Sequence, residues 1–218
     1  MHPPTTPTLF GILIYDGVEP IDIGGTVGVV SMATRVLPNV AATTIARHAG
    51  PVRLAGGLTV LAEHGIDTAP LCDVVIVCGG PGWPEAAADG ALLTWLRGLV
   101  PERTASVCTG ALILAAAGVL DGRAATTRRH AVGQETTAPI DRLGLTGAVR
   151  PVTAAVVDDI VVTGGGVSLA IDATLYLLGR IYGETAAAKV AKVIEYDRAY
   201  AANRAALSHQ VSTAGGGL

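Results

Sequence analysis

The sequence predicts an α/β fold: a doubly wound, mostly parallel sheet with helices on both faces, a flavodoxin-like three-layer sandwich built around a cysteine elbow. Three observations predict it. Short, continuous apolar runs alternate with alanine- and leucine-rich segments of helical length. The runs that matter most stop at glycine-bearing turns. Half of the residues are hydrophobic but only 4% are aromatic, so the core is assembled from Ala, Val, Leu and Ile between layers. A chain of 218 residues buries a sizeable core as one domain, expected over 9–196, with 1–8 and 208–218 as flexible termini.

Each element follows in order. Residues 9–15 read as a buried first strand ended by Asp16-Gly17, and 21–32 as a helix. A second strand is expected at 40–46, and a small hairpin at 52–54 and 58–62 around Gly56-Gly57. The run 73–78 is a further strand, stopped by Gly79-Gly80-Pro81-Gly82 and followed by helical sequence over 84–99. Residues 104–107 form a short strand that runs into Cys108-Thr109-Gly110 and a helix at 111–117, closed by Gly118. Beyond the turn at Asp121-Gly122-Arg123, residues 127–136 read as helical. Strands at 149–157 and 160–163 are joined by Asp158-Asp159, Gly164-Gly165-Gly166 ends the second, and helices are expected at 167–182 and 184–196.

Composition excludes several functions. A net charge of −3, with no run of Lys or Arg longer than two residues, offers no footprint for nucleic acid. No apolar stretch is long enough to span a bilayer, and no targeting segment is evident, so a cytoplasmic protein is expected. Cys72, Cys78 and Cys108 lack metal-type spacing, and the five histidines include no pair at helical ligand spacing, so no metal is indicated. Neither a phosphate-binding P-loop nor a GxGxxG strand turn is present, and no cofactor is expected.

The chemistry is expected at the carboxyl ends of the strands, where ligands bind in such sheets. Cys108 sits between a strand and a helix, where free N–H groups and the helix dipole favour a thiolate; its alternative is a packed core cysteine. Asp22, after the first strand, either shares a proton with that thiol or caps the following helix. Gly79 and Gly80 either cradle an oxyanion with their N–H groups or make a tight turn, and one loop can do both. Cys78, Trp83 and His130 are possible pocket residues. Arg128, Arg129 and His130 either meet an anionic substrate or form a solvated face at a helix start. Asp158-Asp159 reads as a hairpin turn rather than a carboxylate pair.

Taken together, residues 9–196 resemble the ThiJ/PfpI superfamily, with its class I glutamine-amidotransferase-like fold. The resemblance rests on Asp22, the glycine loop, Ser-Val-Cys-Thr-Gly at 106–110, Ala-Ala-Gly-Val-Leu-Asp-Gly-Arg-Ala-Ala-Thr-Thr at 116–127, and Thr-Gly-Gly-Gly-Val at 163–167 before Ile171-Asp172. Thr109 after the cysteine, with Asp rather than Glu after the first strand, resembles the isonitrile hydratase branch. Protease-like members instead place His after the cysteine. The cysteine segment is also similar to the amidase-like domain of some AraC-type regulators, but with about 20 residues after Tyr196 a DNA-binding domain, and hence a regulator, is not expected. Cys78 stands where the hydratase pattern has proline, and Arg128-Arg129 replaces its His-Trp.

The resemblance implies a cofactor-free, homodimeric enzyme acting on a small molecule, with Cys108 attacking an organic isocyanide, Asp22 managing the proton and Thr109 positioning the site. It also leaves open a glyoxalase- or deglycase-like enzyme acting on α-oxoaldehydes, and a redox sensor or binding module in which Cys108 is oxidised without turnover.

Overall fold

A computed structural model describes residues 7–145 and 147–212. Strand β1 (Thr8–Leu13) is central, with Phe10, Ile12 and Leu13 fully buried. The helix expected next is a helical run of three pieces: α1 (Pro20–Ile23), a π turn over Gly24–Gly28 and α2 (Val29–Ala33). The Gly25 carbonyl in that wide turn accepts a bond from Thr174 Oγ1 at 2.8 Å. Next come β2 (Val40–Ala46), the antiparallel hairpin of β3 (Gly50–Arg53) and β4 (Thr59–Ala62), the short β5 (His64–Gly65) and β6 (Val74–Val77).

The helical stretch after the glycine loop divides into α3 (Trp83–Ala86) and α4 (Gly90–Arg97). Asp89 causes the break, because its side chain caps α4 by accepting from the N–H groups of Ala91 and Leu92 at 3.0 and 3.1 Å. Strand β7 (Thr104–Ser106) then leads through the elbow into α5 (Gly110–Ala116). The remaining elements are β8 (Ala124–Ala125), α6 (Pro139–Gly144), β9 (Arg150–Pro151), β10 (Val156–Asp159), β11 (Val161–Gly164), α7 (Leu169–Tyr182), α8 (Glu184–Val193), α9 (Asp197–Leu207) and β12 (His209–Val211).

Eight strands form one sheet in the order β12-β10-β11-β7-β6-β1-β2-β5, flanked by helices, with every pairing parallel except β10 with β11. The chain winds from β1 outward to β2 and β5, then returns to place β6 and β7 on the other side. The reversal falls between β1 and β6, whose carboxyl ends therefore flank a crevice. Among the described residues no helix is long and apolar enough to cross a membrane.

Three expectations are corrected. Residues 127–136 are not helical, because Thr127 and the preceding Thr126 are committed elsewhere: the Thr126 N–H to Thr163 Oγ1 at 2.9 Å and the Thr127 hydroxyl to the Cys108 carbonyl at 2.6 Å. Asp158 and Asp159 lie within β10 rather than at the turn, which falls at Ile160 with φ 69°. Asp158 is buried, bonded by Tyr176 Oη at 2.7 Å and paired with Arg180 at 3.1 Å, while Asp159 accepts from the Ala124 N–H at 2.8 Å. These partners hold both carboxylates in place and leave the turn to an apolar residue. Finally, the ends are tied down: Thr8 is buried in β1, and 208–212 contains β12, paired with β10. Residues 1–6 and 213–218 of the expected flexible termini lie outside the described residues.

Candidate active site

The carboxyl ends of β1, β6 and β7 bring together Asp22, the glycine loop and Cys108. Cys108 adopts φ 51°, a left-handed conformation that costs a non-glycine residue about 1–2 kcal/mol. The elbow is held on both sides, since the Cys108 N–H donates to the Gly165 carbonyl at 3.1 Å and its carbonyl accepts from Thr127 Oγ1. A side chain at Gly79 would place Cβ 2.4 Å from the Thr109 nitrogen and 2.8 Å from Cys108 Cβ. Only glycine there lets the β6 loop approach the elbow this closely.

Asp22 lies in the first turn of α1 and is fully buried. It caps no helix; its Oδ2 instead accepts from the Gly79 N–H across the crevice at 2.7 Å. Oδ1 is buried without a hydrogen-bond partner, and the Cys108 side chain interacts with this carboxyl and favours its ionised form. Burial, helped by the negative charge of Glu19, pushes the Asp22 carboxyl up to about 7 against the pull of the Gly79 N–H, the thiol and Arg128.

Cys108 is only 3% exposed. Burial first, and the Asp22 charge second, push its thiol up to about 12, although the N–H groups of Val167 and Thr109 bond the sulfur and Arg128 adds a positive charge nearby. The N–H groups at the elbow do favour the thiolate, but they are not the largest influence on it. In this closed site desolvation outweighs the N–H groups, and the sulfur rests as a thiol beside a carboxyl poised to exchange a proton near neutrality.

The glycine loop also differs from an open cradle. The Gly79 N–H goes to Asp22, the Gly80 N–H goes to Thr109 Oγ1 at 2.9 Å, the Gly82 N–H goes to the Gly17 carbonyl and the Trp83 N–H goes to the Gly80 carbonyl. The loop thus orients Asp22 and Thr109, and the N–H groups directed at the Cys108 sulfur come from Thr109 and Val167. Thr109 is buried, so its hydroxyl and N–H link the loop to the sulfur.

Of the possible pocket residues, Cys78 is fully buried behind Asp22, with Sγ 3.7 Å from Thr26 Oγ1. Trp83 is half-buried at the start of α3 and carries the Arg142 guanidinium 5.7 Å above its ring. The His130 side chain is exposed, and its carbonyl is tied to Arg128. Arg128 and Arg129 are part-buried rather than a solvated helix face.

Three contributors were not legible in the sequence. Tyr15 donates to the Cys78 carbonyl at 3.1 Å, and its phenol is raised by burial first and then by the nearby Cys78, Asp22 and Cys108. Thr127 braces the elbow from the end of the motif at 116–127. Val167, with φ 44°, turns its N–H onto the sulfur. The glycine triplet before Val167 was the available signal for a tight loop at this place.

Residues 11–180 match the DJ-1/PfpI family. The chain is 31% identical over 188 residues to isonitrile hydratase of Pseudomonas putida, covering 85% of this chain and 77% of that protein. It is 26% identical over 196 residues to the HTH-type transcriptional regulator GbdR of Pseudomonas aeruginosa, covering 88% of this chain but 52% of the regulator. Among solved structures, a ThiJ/PfpI family protein from Pseudomonas syringae superposes with TM-score 0.74 at 28% identity, over 88% of this chain and 76% of that one. Drosophila melanogaster DJ-1beta shares the fold with TM-score 0.73 at 18% identity, over 87% of this chain and 98% of its own.

Proposed function

Because this chain belongs to the DJ-1/PfpI family, we propose that it is a cysteine-dependent isonitrile hydratase-like enzyme, a lyase that converts an organic isocyanide to an N-substituted formamide without a cofactor. One observation carries the reading: a buried thiol on a strained elbow faces a single carboxyl group held near neutral pKa. An isocyanide carbon is attacked as an electrophile and then needs a proton on that same carbon. A thiol with one adjacent proton carrier meets both needs.

In the proposed reaction Asp22 takes the Cys108 proton as sulfur bonds to the terminal carbon, and returns it to that carbon, giving a thioimidate. The Thr109 and Val167 N–H groups hold the sulfur in line during attack. Water then adds to the same carbon, with one of its protons passing through Asp22 to nitrogen. The new hydroxyl loses its proton to Asp22 as the carbon–sulfur bond breaks, releasing the formamide, and Asp22 reprotonates the thiolate. The sum is one isocyanide plus one water giving one formamide. Asp22 ends as it began, as a carrier near neutral pKa must.

The same reading carries a small-molecule substrate and a homodimer, which sedimentation equilibrium would report as twice the chain mass. Incubation with a small alkyl or aryl isocyanide tests the activity. Formamide should form with the wild type and be lost in Cys108→Ser and Asp22→Asn. A folded, reduced wild type that makes no formamide would reject the hydratase reading and return attention to α-oxoaldehydes or thiol oxidation.

A further inference from the structure

Arg128 follows Thr127, whose hydroxyl holds the Cys108 carbonyl at 2.6 Å, so the guanidinium is carried on the segment that braces the elbow. Its stem lies against Gly166, where an added Cβ would fall 2.6 Å from Arg128 Cβ and Cγ. Gly166 in turn precedes Val167, whose N–H meets the sulfur. The side chain is 13% exposed, and its charge favours the ionised forms of both Cys108 and Asp22. In the closed site the guanidinium is engaged by Glu135 and by the His130 carbonyl, and Glu135 also accepts from the Val132 N–H at 2.9 Å. Residues 128–138 have no helix or strand, so this ion pair fastens an otherwise irregular segment. With Cys108 almost fully covered, a substrate must displace something to reach it.

We propose that Arg128 is the anion-recognition residue of this site and that the preferred substrates carry a carboxylate, which takes the guanidinium over from Glu135 and frees residues 128–138 to admit them. A planar guanidinium suits the exchange, because it meets one carboxylate as it does another. Release of Glu135 couples recognition to opening, so neutral analogues of equal size enter less readily. The substrate class rests on Cys108 being the reactive centre; the isocyanide chemistry is needed only for the turnover comparison.

Two reagents separate these dependences. The Cys108 sulfur displaces iodide from iodoacetate or iodoacetamide, forming a carbon–sulfur bond, and the ratio of the two rates cancels any change in thiol ionisation. The wild-type ratio should exceed that of free glutathione by about tenfold, the ordinary size of a hydrogen bond to a charged group. Arg128→Gln should bring the ratio down to the glutathione value, Arg128→Lys should keep part of it, and Glu135→Gln should raise it by unlocking the guanidinium. A ratio unchanged in Arg128→Gln overturns the proposal. So does a Glu135→Gln ratio as low as that of Arg128→Gln, since the pair would then only pin the segment.

Should Cys108 resist both reagents, calorimetric binding of N-formylglycine against N-formylglycinamide reads the same preference, and equal affinities overturn it. In turnover, isocyanoacetate should outpace isocyanoacetamide in kcat/KM, with the advantage lost in Arg128→Gln. No formamide from either substrate, beside an intact alkylation ratio, rejects the hydratase reading and keeps Arg128 as the anion site.

Discussion

Replacing Asp22 by Asn should stabilise the protein while abolishing its proposed chemistry, and the gain should grow with pH. Asp22 is fully buried, Oδ1 lacks a conventional partner, and burial lifts the carboxyl from 3.8 to about 7. A carboxyl raised on folding favours the native state most below its unfolded pKa. That advantage is lost as pH climbs from about 4 to about 7, and the full cost remains above. At about 1.4 kcal/mol per pKa unit, roughly 2 kcal/mol is lost between pH 5.5, where the native group is protonated, and pH 8.0, where it is ionised. Asparagine keeps an oxygen for the Gly79 N–H and never ionises, so it escapes this loss. Urea unfolding of both proteins at the two pH values measures it, provided the m-values agree. The variant's advantage should widen by about 2 kcal/mol at pH 8.0. An advantage that stays constant, or shrinks, would refute the claim that burial of the carboxyl dominates this site.

Three further outcomes follow from the elbow. At φ 51°, Cys108→Gly should be about 1 kcal/mol more stable than Cys108→Ala, both being inactive, and equal thermal midpoints would show that the left-handed turn carries no strain. Thr127→Val removes the 2.6 Å bond to the buried Cys108 carbonyl; it should cost about 1–3 kcal/mol in chemical denaturation and depress turnover, while Thr127→Ser retains both. Gly79→Ala places a methyl 2.4 Å from the Thr109 nitrogen; it should cost about 1–3 kcal/mol and reduce Cys108 alkylation, and wild-type reactivity would contradict the packing described.

The sheet was legible because its signal is local. Apolar runs such as Val74–Val77 have nowhere to go but a buried strand, and the Gly79–Gly82 loop marks where that strand stops. Cys108 was legible for the same reason, as a cysteine wedged between a strand and a helix start. What the sequence could not show depends on distant partners. Residues 127–136 have ordinary helical composition, but Thr126 and Thr127 are committed to Thr163 and Cys108. Asp158 reads as a turn until Tyr176 and Arg180, on a later helix, are seen to enclose it. Position could suggest that Asp22 faces the thiol, but not that its cap role gives way to a bond from Gly79, nor that burial leaves Cys108 a thiol.

The central claim is that Cys108 bonds covalently to the isocyanide carbon. The most direct measurement is rapid acid quench of wild type mixed with an aryl isocyanide, followed by peptide mapping by mass. An adduct of the whole isocyanide mass on the Cys108 peptide, decaying at the rate at which formamide appears, is the predicted result. Formamide produced with no adduct, or with an adduct on another residue, would contradict it.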